Sequence, residues 1–177
     1  VTDTLRVRPV RPCDVPAVVA MVHELAEFER APHACHLTGE QLQAALFAAR
    51  PAVFAHVAVD ATDAPLGFAL WYVTYSTWEG VHGIWLEDLY VRPPARRTGA
   101  GRALLARLAA LCVERGYTRL DWSVLEWNPA RAFYERLGAA HLAGWLPYRL
   151  EGPALVDLAT GAHARPGPTG AHGRRDG

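Results

Sequence analysis

The chain is 177 residues long, 51% hydrophobic and 20% charged, with 18 basic residues against 18 acidic ones. That is enough chain for one core, too apolar for disorder, and too balanced for a wholesale basic nucleic-acid binder. Every basic residue is arginine and none is lysine, which excludes a Walker-type phosphate loop, a Schiff-base lysine and pyridoxal chemistry, because each needs an amine side chain.

Charge is segregated along the chain. Residues 12–49 carry a net −4, residues 51–91 a net −5 with no arginine, and residues 92–119 a net +6. Such segregation suits a ligand with an anionic end beside the basic segment and a cationic end beside the acidic ones. Cys13, Cys35 and Cys112 are scattered and odd in number, so no disulfide framework is expected and a reduced, cytoplasmic compartment fits. No stretch approaches about 18 consecutive apolar residues, so neither secretion nor membrane insertion is expected.

In chain order, Leu5–Arg8 reads as a short strand. Asp14-Val15-Pro16 reads as an N-cap with proline just inside a helix that runs to about Arg30, with Val15, Val18, Val22 and Leu25 as its inner stripe. Thr38-Gly39-Glu40-Gln41 has the form of a capping box for a second helix to about Arg50. Val53–Val59, Leu66–Thr74 and Ile84–Val91 read as three strands of an antiparallel meander, with turns at Asp60–Pro65 and Ser76–Gly83. A helix from about Gly99 to Arg115, stopped by Gly116, and a strand at Thr118–Leu125 follow. Asn128-Pro129 starts another helix, which Gly138 ends, and two last strands are expected near Trp145–Leu150 and Ala154–Leu158. From Thr160 onward Gly, Pro, His, Ala and Arg show no apolar period, so a disordered tail is expected.

The strongest chemical signal is Arg96-Arg97-Thr98-Gly99-Ala100-Gly101, directly after one strand and opening an amphipathic helix. Glycines let the backbone approach phosphate oxygens, and the helix dipole favours negative charge. Arg92, Arg96, Arg97 and Arg102 add guanidinium forks suited to a pyrophosphate. As a dinucleotide fingerprint the segment fails, because Leu104 stands at the third glycine position.

This segment resembles the acetyl-coenzyme A pyrophosphate loop of the GNAT superfamily of N-acetyltransferases. Leu86-Glu87-Asp88-Leu89-Tyr90-Val91, Glu126-Trp127-Asn128 and Phe133-Tyr134-Glu135-Arg136-Leu137-Gly138 strengthen the match. With Tyr75 and Trp78 they resemble the diamine (spermidine/spermine) acetyltransferase branch. The resemblance implies an α/β (α+β) fold, with a mostly antiparallel mixed sheet flanked by helices. It also implies one catalytic domain over residues 1–159 before the tail at 160–177, and a homodimer.

The same resemblance implies acetyl-CoA as cosubstrate, held by Leu89, Tyr90, Val91, Arg96, Arg97, Thr98, Gly99, Ala100, Gly101, Arg102, Asn128 and Tyr134. Tyr134 falls where these enzymes place the acid that protonates the departing thiolate, and a phenol pKa of about 10 suits that task. Glu87 falls where a carboxylate helps deprotonate the incoming ammonium. The Leu89 N–H is the implied oxyanion donor. Glu87 and Asp88 are adjacent on a strand, so strict alternation predicts opposite faces and no acid/base pair.

Glu29 continues the stripe of residues 18, 22 and 25, and a carboxylate ending a buried face needs a cation or a wet cleft. Tyr75, Trp78 and Glu79 form either an aromatic, anionic mouth for an alkylammonium or a dimer contact. Asp88 and Trp145 complete the expected acceptor contacts. Ser76 stands where the diamine branch has an acid, and no acid lies between Gly138 and Trp145, so a shorter diamine or an amino-acid-like amine is credible. The expected activity is N-acetylation of a small primary amine by direct attack in a ternary complex. Thialysine, an aminoglycoside or a protein N-terminus are alternative acceptors, and a non-catalytic acyl-CoA-binding module is the alternative class. No metal is expected, since His23-Glu24-x-x-Glu27 lacks the second histidine of a zinc motif and His33-Ala34-Cys35-His36 has no distant pair.

Overall fold

The computed structural model describes residues 5–161, and two compact units divide the chain, Val1–Asn128 and Pro129–Gly177. The first contains β1 (Arg6–Pro9), α1 (Val15–Phe28), α2 (Gly39–Leu46), β2 (Phe54–Val59), β3 (Pro65–Ser76), β4 (Val81–Val91), α3 (Ala100–Arg115) and β5 (Leu120–Trp122). The strands make one sheet in the order β1-β2-β3-β4-β5. Neighbours from β1 to β4 are antiparallel, and β5 joins β4 in parallel. This is the mostly antiparallel mixed sheet that the family resemblance implies, with helices on its faces. Among the described residues, no helix is long and apolar enough to cross a membrane.

Strand alternation sorts the core into two layers. On one face, Ala55, Val57, Val59, Phe68, Leu70 and Tyr90 pack with Val15, Val18 and Met21 of α1 and with Leu42 and Leu46 of α2. The opposite parity supplies Ala58, Ala69, Trp71, Ile84 and Leu86, all buried, and α3 contributes buried Leu104, Leu105, Leu108, Leu111 and Cys112. Each fully buried aliphatic or aromatic side chain here stabilises the fold by roughly 1.5–3 kcal/mol. α2 starts with the expected capping box: the Gln41 N–H donates to Thr38 Oγ1 at 3.2 Å and the Thr38 N–H to Gln41 Oε1 at 2.9 Å. α3 ends at Gly116, whose left-handed φ of 68° admits a glycine without strain.

The second unit departs from the sequence expectation. It contains α4 (Ala130–Arg136), which Gly138 follows at a φ of 89°, and α5 (Gly152–Thr160). Residues 145–150 are irregular rather than a strand, and the expected strand at Ala154–Leu158 lies inside α5. A short apolar run such as Ala154-Leu155-Val156 has no period that separates strand from helix. Pro153 in the first turn and left-handed Gly161 after the last decide for the helix. The tail expected from Thr160 begins inside this helix for its first residue, and residues 162–177 lie outside the described ones.

Asp14 is the other correction. It precedes α1 but makes no side-chain cap to it, and its own backbone is already helical. Its carboxylate is 5% exposed and takes Arg8 Nη1 at 2.6 Å, Arg8 Nη2 at 3.0 Å and the Arg11 N–H at 2.7 Å. Arg8 also donates through Nε to Asp63 Oδ1 at 2.9 Å, and Arg6 and Arg11 reach the same carboxylate. One guanidinium therefore ties β1, the start of α1 and the β2–β3 turn together. Burial pushes the Asp14 carboxyl up, but Arg8 and the Arg11 N–H outweigh it and hold it below its ordinary value. Arg8→Ala is expected to cost about 2–4 kcal/mol at pH 7, because it strands a buried carboxylate. Asp14 ionises below its unfolded pKa, so the pair stabilises above that pKa and its contribution is lost as pH falls through the folded value. The urea-midpoint gap between variant and parent should therefore narrow in acid; a gap constant from pH 7 to pH 3 would contradict this assignment.

Candidate active site

The site begins with an irregularity in β4. Leu70 pairs with Asp88 and Trp71 with Leu86, so Glu87 is an extra residue without a partner on β3. Such a bulge shifts the alternation by one. Before it, Ile84 and Leu86 face α3. After it, Asp88 and Tyr90 lie opposite Leu70 and Phe68, on the α1 face.

This corrects the expectation that Glu87 and Asp88 point to opposite faces. Trp85 pairs with Tyr72, on Leu70's side of the sheet, and its indole N–H donates to Glu87 Oε2 at 3.1 Å. Tyr72 and Trp85 stack at 6.4 Å between ring centroids and form a wall beside that carboxylate. Glu87 and Asp88 are therefore both approached from the α1 face. Glu29, the residue that ends α1, is half-buried on the same side.

Burial, the Glu87 charge and the Glu29 charge push the Asp88 carboxyl up to about 6. Burial also raises Glu29. The charges of Glu87 and Glu29 thus both reach Asp88, and carboxylates gathered in this way form a place for a cation. Among the described residues, no three His, Cys, Asp or Glu side chains are arranged to hold a metal ion.

The backbone beside them is equally specific. The Arg92 N–H donates to Leu66 O at 3.0 Å, which makes that pair a hydrogen-bonded one. In an antiparallel ladder such pairs alternate, so Leu89, opposite Ala69, and Val91, opposite Gly67, turn their N–H and C=O groups away from β3. On that side β5 pairs only with Ile84, Trp85 and Leu86, ending at Trp122. The sheet thus parts at the bulge, and β5 leaves the outward groups of Leu89 and Val91 uncovered. The Val91 carbonyl accepts from Arg96 Nε at 3.0 Å.

The glycine loop continues from this edge. Arg97 and Gly99 are left-handed, with φ of 68° and 94°, and α3 begins at Ala100. Alternating handedness turns successive N–H groups inward as an anion nest, and the unpaired first turn of α3 adds more donors. Thr98 Oγ1 donates to Ala95 O at 2.7 Å and holds the turn. Arg97 and Arg102 are exposed, whereas the Arg96 guanidinium lies over Phe28 at 5.6 Å and Tyr90 at 5.7 Å. Arg92 pairs with Glu24 at 3.1 Å.

Other expected residues fall elsewhere. Tyr75 shares the parity of Trp71 and sits on the α3 side of the sheet, edge-on to His82 at 5.1 Å, so it is not brought to the three carboxylates. Trp78 stands 89% exposed on the β3–β4 turn, and Glu79 accepts a hydrogen bond from the Thr118 hydroxyl. Asn128 closes a turn by donating its N–H to Leu125 O at 2.9 Å. In the second unit Tyr134 is half-buried on α4 with its ring 5.4 Å from that of Phe133, and Trp145 is 70% exposed. The sequence reading missed Trp85 and Tyr72, which wall the Glu87 carboxylate. Aromatic residues on a strand read as core, and only the position of Trp85 two residues before Glu87 hinted otherwise.

A family model described as the acetyltransferase (GNAT) family matches residues 19–139. The thialysine N-epsilon-acetyltransferase of Caenorhabditis elegans is 37% identical over 154 residues, which span 85% of this chain and 94% of that protein. The L-ornithine N5-acetyltransferase of Arabidopsis thaliana is 30% identical over 85% of this chain and 86% of its own. A human spermidine/spermine N(1)-acetyltransferase-like protein is 29% identical over 89% of this chain but 24% of its own. Among solved structures, an integron cassette protein from V. cholerae superposes with a TM-score of 0.74 at 27% identity, over 88% of this chain and 98% of that one. With the parted sheet and the glycine loop already in place, the match over residues 19–139 establishes that the chain belongs to the GNAT family of acetyltransferases.

Proposed function

We propose that residues 1–159 act as one catalytic domain that acetylates the side-chain primary amine of a basic amino acid, by direct attack in a ternary complex with acetyl-CoA. The observation that carries this reading is the set of three carboxylates, Glu29, Glu87 and Asp88, approached from one face where β4 parts from β5. An alkylammonium is the natural guest of such a set, and the Tyr72–Trp85 wall adds an apolar side for its methylenes. The named relatives that cover most of both chains act on thialysine and ornithine, which favours an amino acid over a plain polyamine.

In this reading the loop from Arg96 to Arg102 holds the pyrophosphate, and the outward groups of Leu89 and Val91 hold the chain that leads to the thioester. Asp88 and Glu29 draw the ammonium in. Glu87 takes a proton from it, directly or through water, leaving a lone pair on nitrogen for the thioester carbon. The Leu89 N–H donates to the carbonyl oxygen as that oxygen gains charge. Tyr134 gives its proton to the sulfur as the carbon–sulfur bond breaks, and the second proton that the nitrogen sheds on becoming an amide returns to the Tyr134 phenolate through water. A homodimer belongs to the same reading, supported by the exposed Trp78. Light scattering at micromolar concentration should return twice the chain mass, and a monomer mass would remove that part.

Tyr134→Phe keeps the ring and removes the proton donor, so kcat should fall by about 10²-fold while the KM for acetyl-CoA stays near the parent value. Glu87→Gln should be relatively worse near pH 7 than at pH 9, where more amine is already neutral. Parent turnover by Tyr134→Phe from pH 7 to 9, with chemistry rate-limiting, would refute the acid assignment.

Asp88 makes a separate thermodynamic statement. Its folded pKa of about 6 lies above the unfolded value, so the folded state binds the extra proton and stability falls as pH rises between the two. Asp88→Asn should therefore raise Tm at pH 7.5 and lose that advantage by pH 4, while weakening amine binding. A variant with lower Tm at pH 7.5 would show that the carboxylate is not held against its preference.

A further inference from the structure

We propose that Arg30 is a specificity-determining residue that takes the α-carboxylate of the acceptor, so that the enzyme selects basic amino acids over diamines lacking that group. This rests on the acceptor reading above and adds the recognition of the substrate's anionic end. Helix α1 closes with the Ala31 N–H donating to Ala26 O at 2.9 Å and the Arg30 N–H to Glu27 O at 3.0 Å. That double closure places Arg30, at a φ of 62°, in the left-handed position that glycine usually fills. A β-carbon there is strained, so the backbone alone gives no reason for arginine.

What the side chain does points to a ligand. The Arg30 guanidinium lies over the Trp127 ring at 5.0 Å, and Trp127 packs on Phe28 at 5.7 Å. Among the described residues Arg30 makes no side-chain hydrogen bond or ion pair. Its neighbours are committed: Arg92 to Glu24, and Arg96 to the Val91 carbonyl. A stacked guanidinium keeps its in-plane N–H groups available for a carboxylate fork. Glu29, the adjacent residue, is one of the three carboxylates, and its charge reaches Asp88. Opposite charges thus stand on consecutive residues at the end of α1, matching an acceptor that carries an ammonium and a carboxylate on one molecule.

Steady-state kinetics with L-ornithine and with putrescine, the same diamine without its carboxylate, tests this on the full chain. Arg30→Gly suits the left-handed backbone and should fold at least as well as the parent, which thermal melting checks. The parent should prefer L-ornithine in kcat/KM. In Arg30→Gly that preference should drop by roughly 10- to 100-fold, mainly through the KM for L-ornithine, the range expected for a lost charge-assisted hydrogen bond. Arg30→Lys should recover part of it. Equal losses on both amines, an unchanged preference, or a loss confined to the KM for acetyl-CoA would overturn the proposal and leave the acceptor reading standing. A parent enzyme that acetylates neither amine while binding acetyl-CoA would overturn both.

Discussion

One unpaired residue in β4 organises this molecule. Without Glu87 as an insertion, β4 would run as a regular ladder from Val81 to Val91 and place Asp88 on the α3 side. The extra residue shifts the register against β3 between Leu70 and Trp71, and the altered phase carries Asp88 and Tyr90 to the α1 face. Pairing with β5 stops at Leu86, next to the same irregularity. A local defect in one hydrogen-bond ladder thus supplies both the gathered carboxylates and the uncovered backbone beside them.

The rest of the first unit holds this defect in place. Tyr90, four residues beyond Leu86, is anchored in the core with Phe68, while Ile84 and Leu86 are anchored in the opposite layer. Core packing on both sides of the bulge therefore prevents the strand from slipping by one residue, since a slip would exchange buried and exposed side chains throughout. Arg8 works at the far side of the sheet, where it joins β1, α1 and the β2–β3 turn through Asp14 and Asp63. α1 is thereby fixed at its start, and its end carries Glu29, with Arg30 next in the chain lying over Trp127.

Electrostatics give the site its character. The three carboxylates share a partly buried face, and the cost of that arrangement appears as the raised Asp88 and Glu29. A few residues later in the chain, the loop from Arg96 to Arg102 offers donors and arginines to an anion. The strand from Glu87 to Val91 runs from the carboxylates toward the edge from which that loop departs.

Legible in the chain alone were the antiparallel meander of β2, β3 and β4, the helix boundaries at Thr38 and Gly116, the glycine loop and the family resemblance. These rest on local rules: alternation, capping residues, and glycine where the backbone turns left-handed. The sequence also determined that Glu29 ends a buried stripe, because helical spacing is local information. That Glu87 and Asp88 share a face emerged from strand pairing, since a bulge depends on the partner strand's register and leaves no mark on alternation. Tertiary structure likewise placed Tyr75 on the far side of the sheet, gave Asp14 to Arg8 rather than to its helix, and set Arg30 on Trp127. The residues near Trp145 and in α5 resisted the sequence reading for the same reason: a short apolar run takes its conformation from its boundaries and from what it packs against, and only the boundaries are written in the chain.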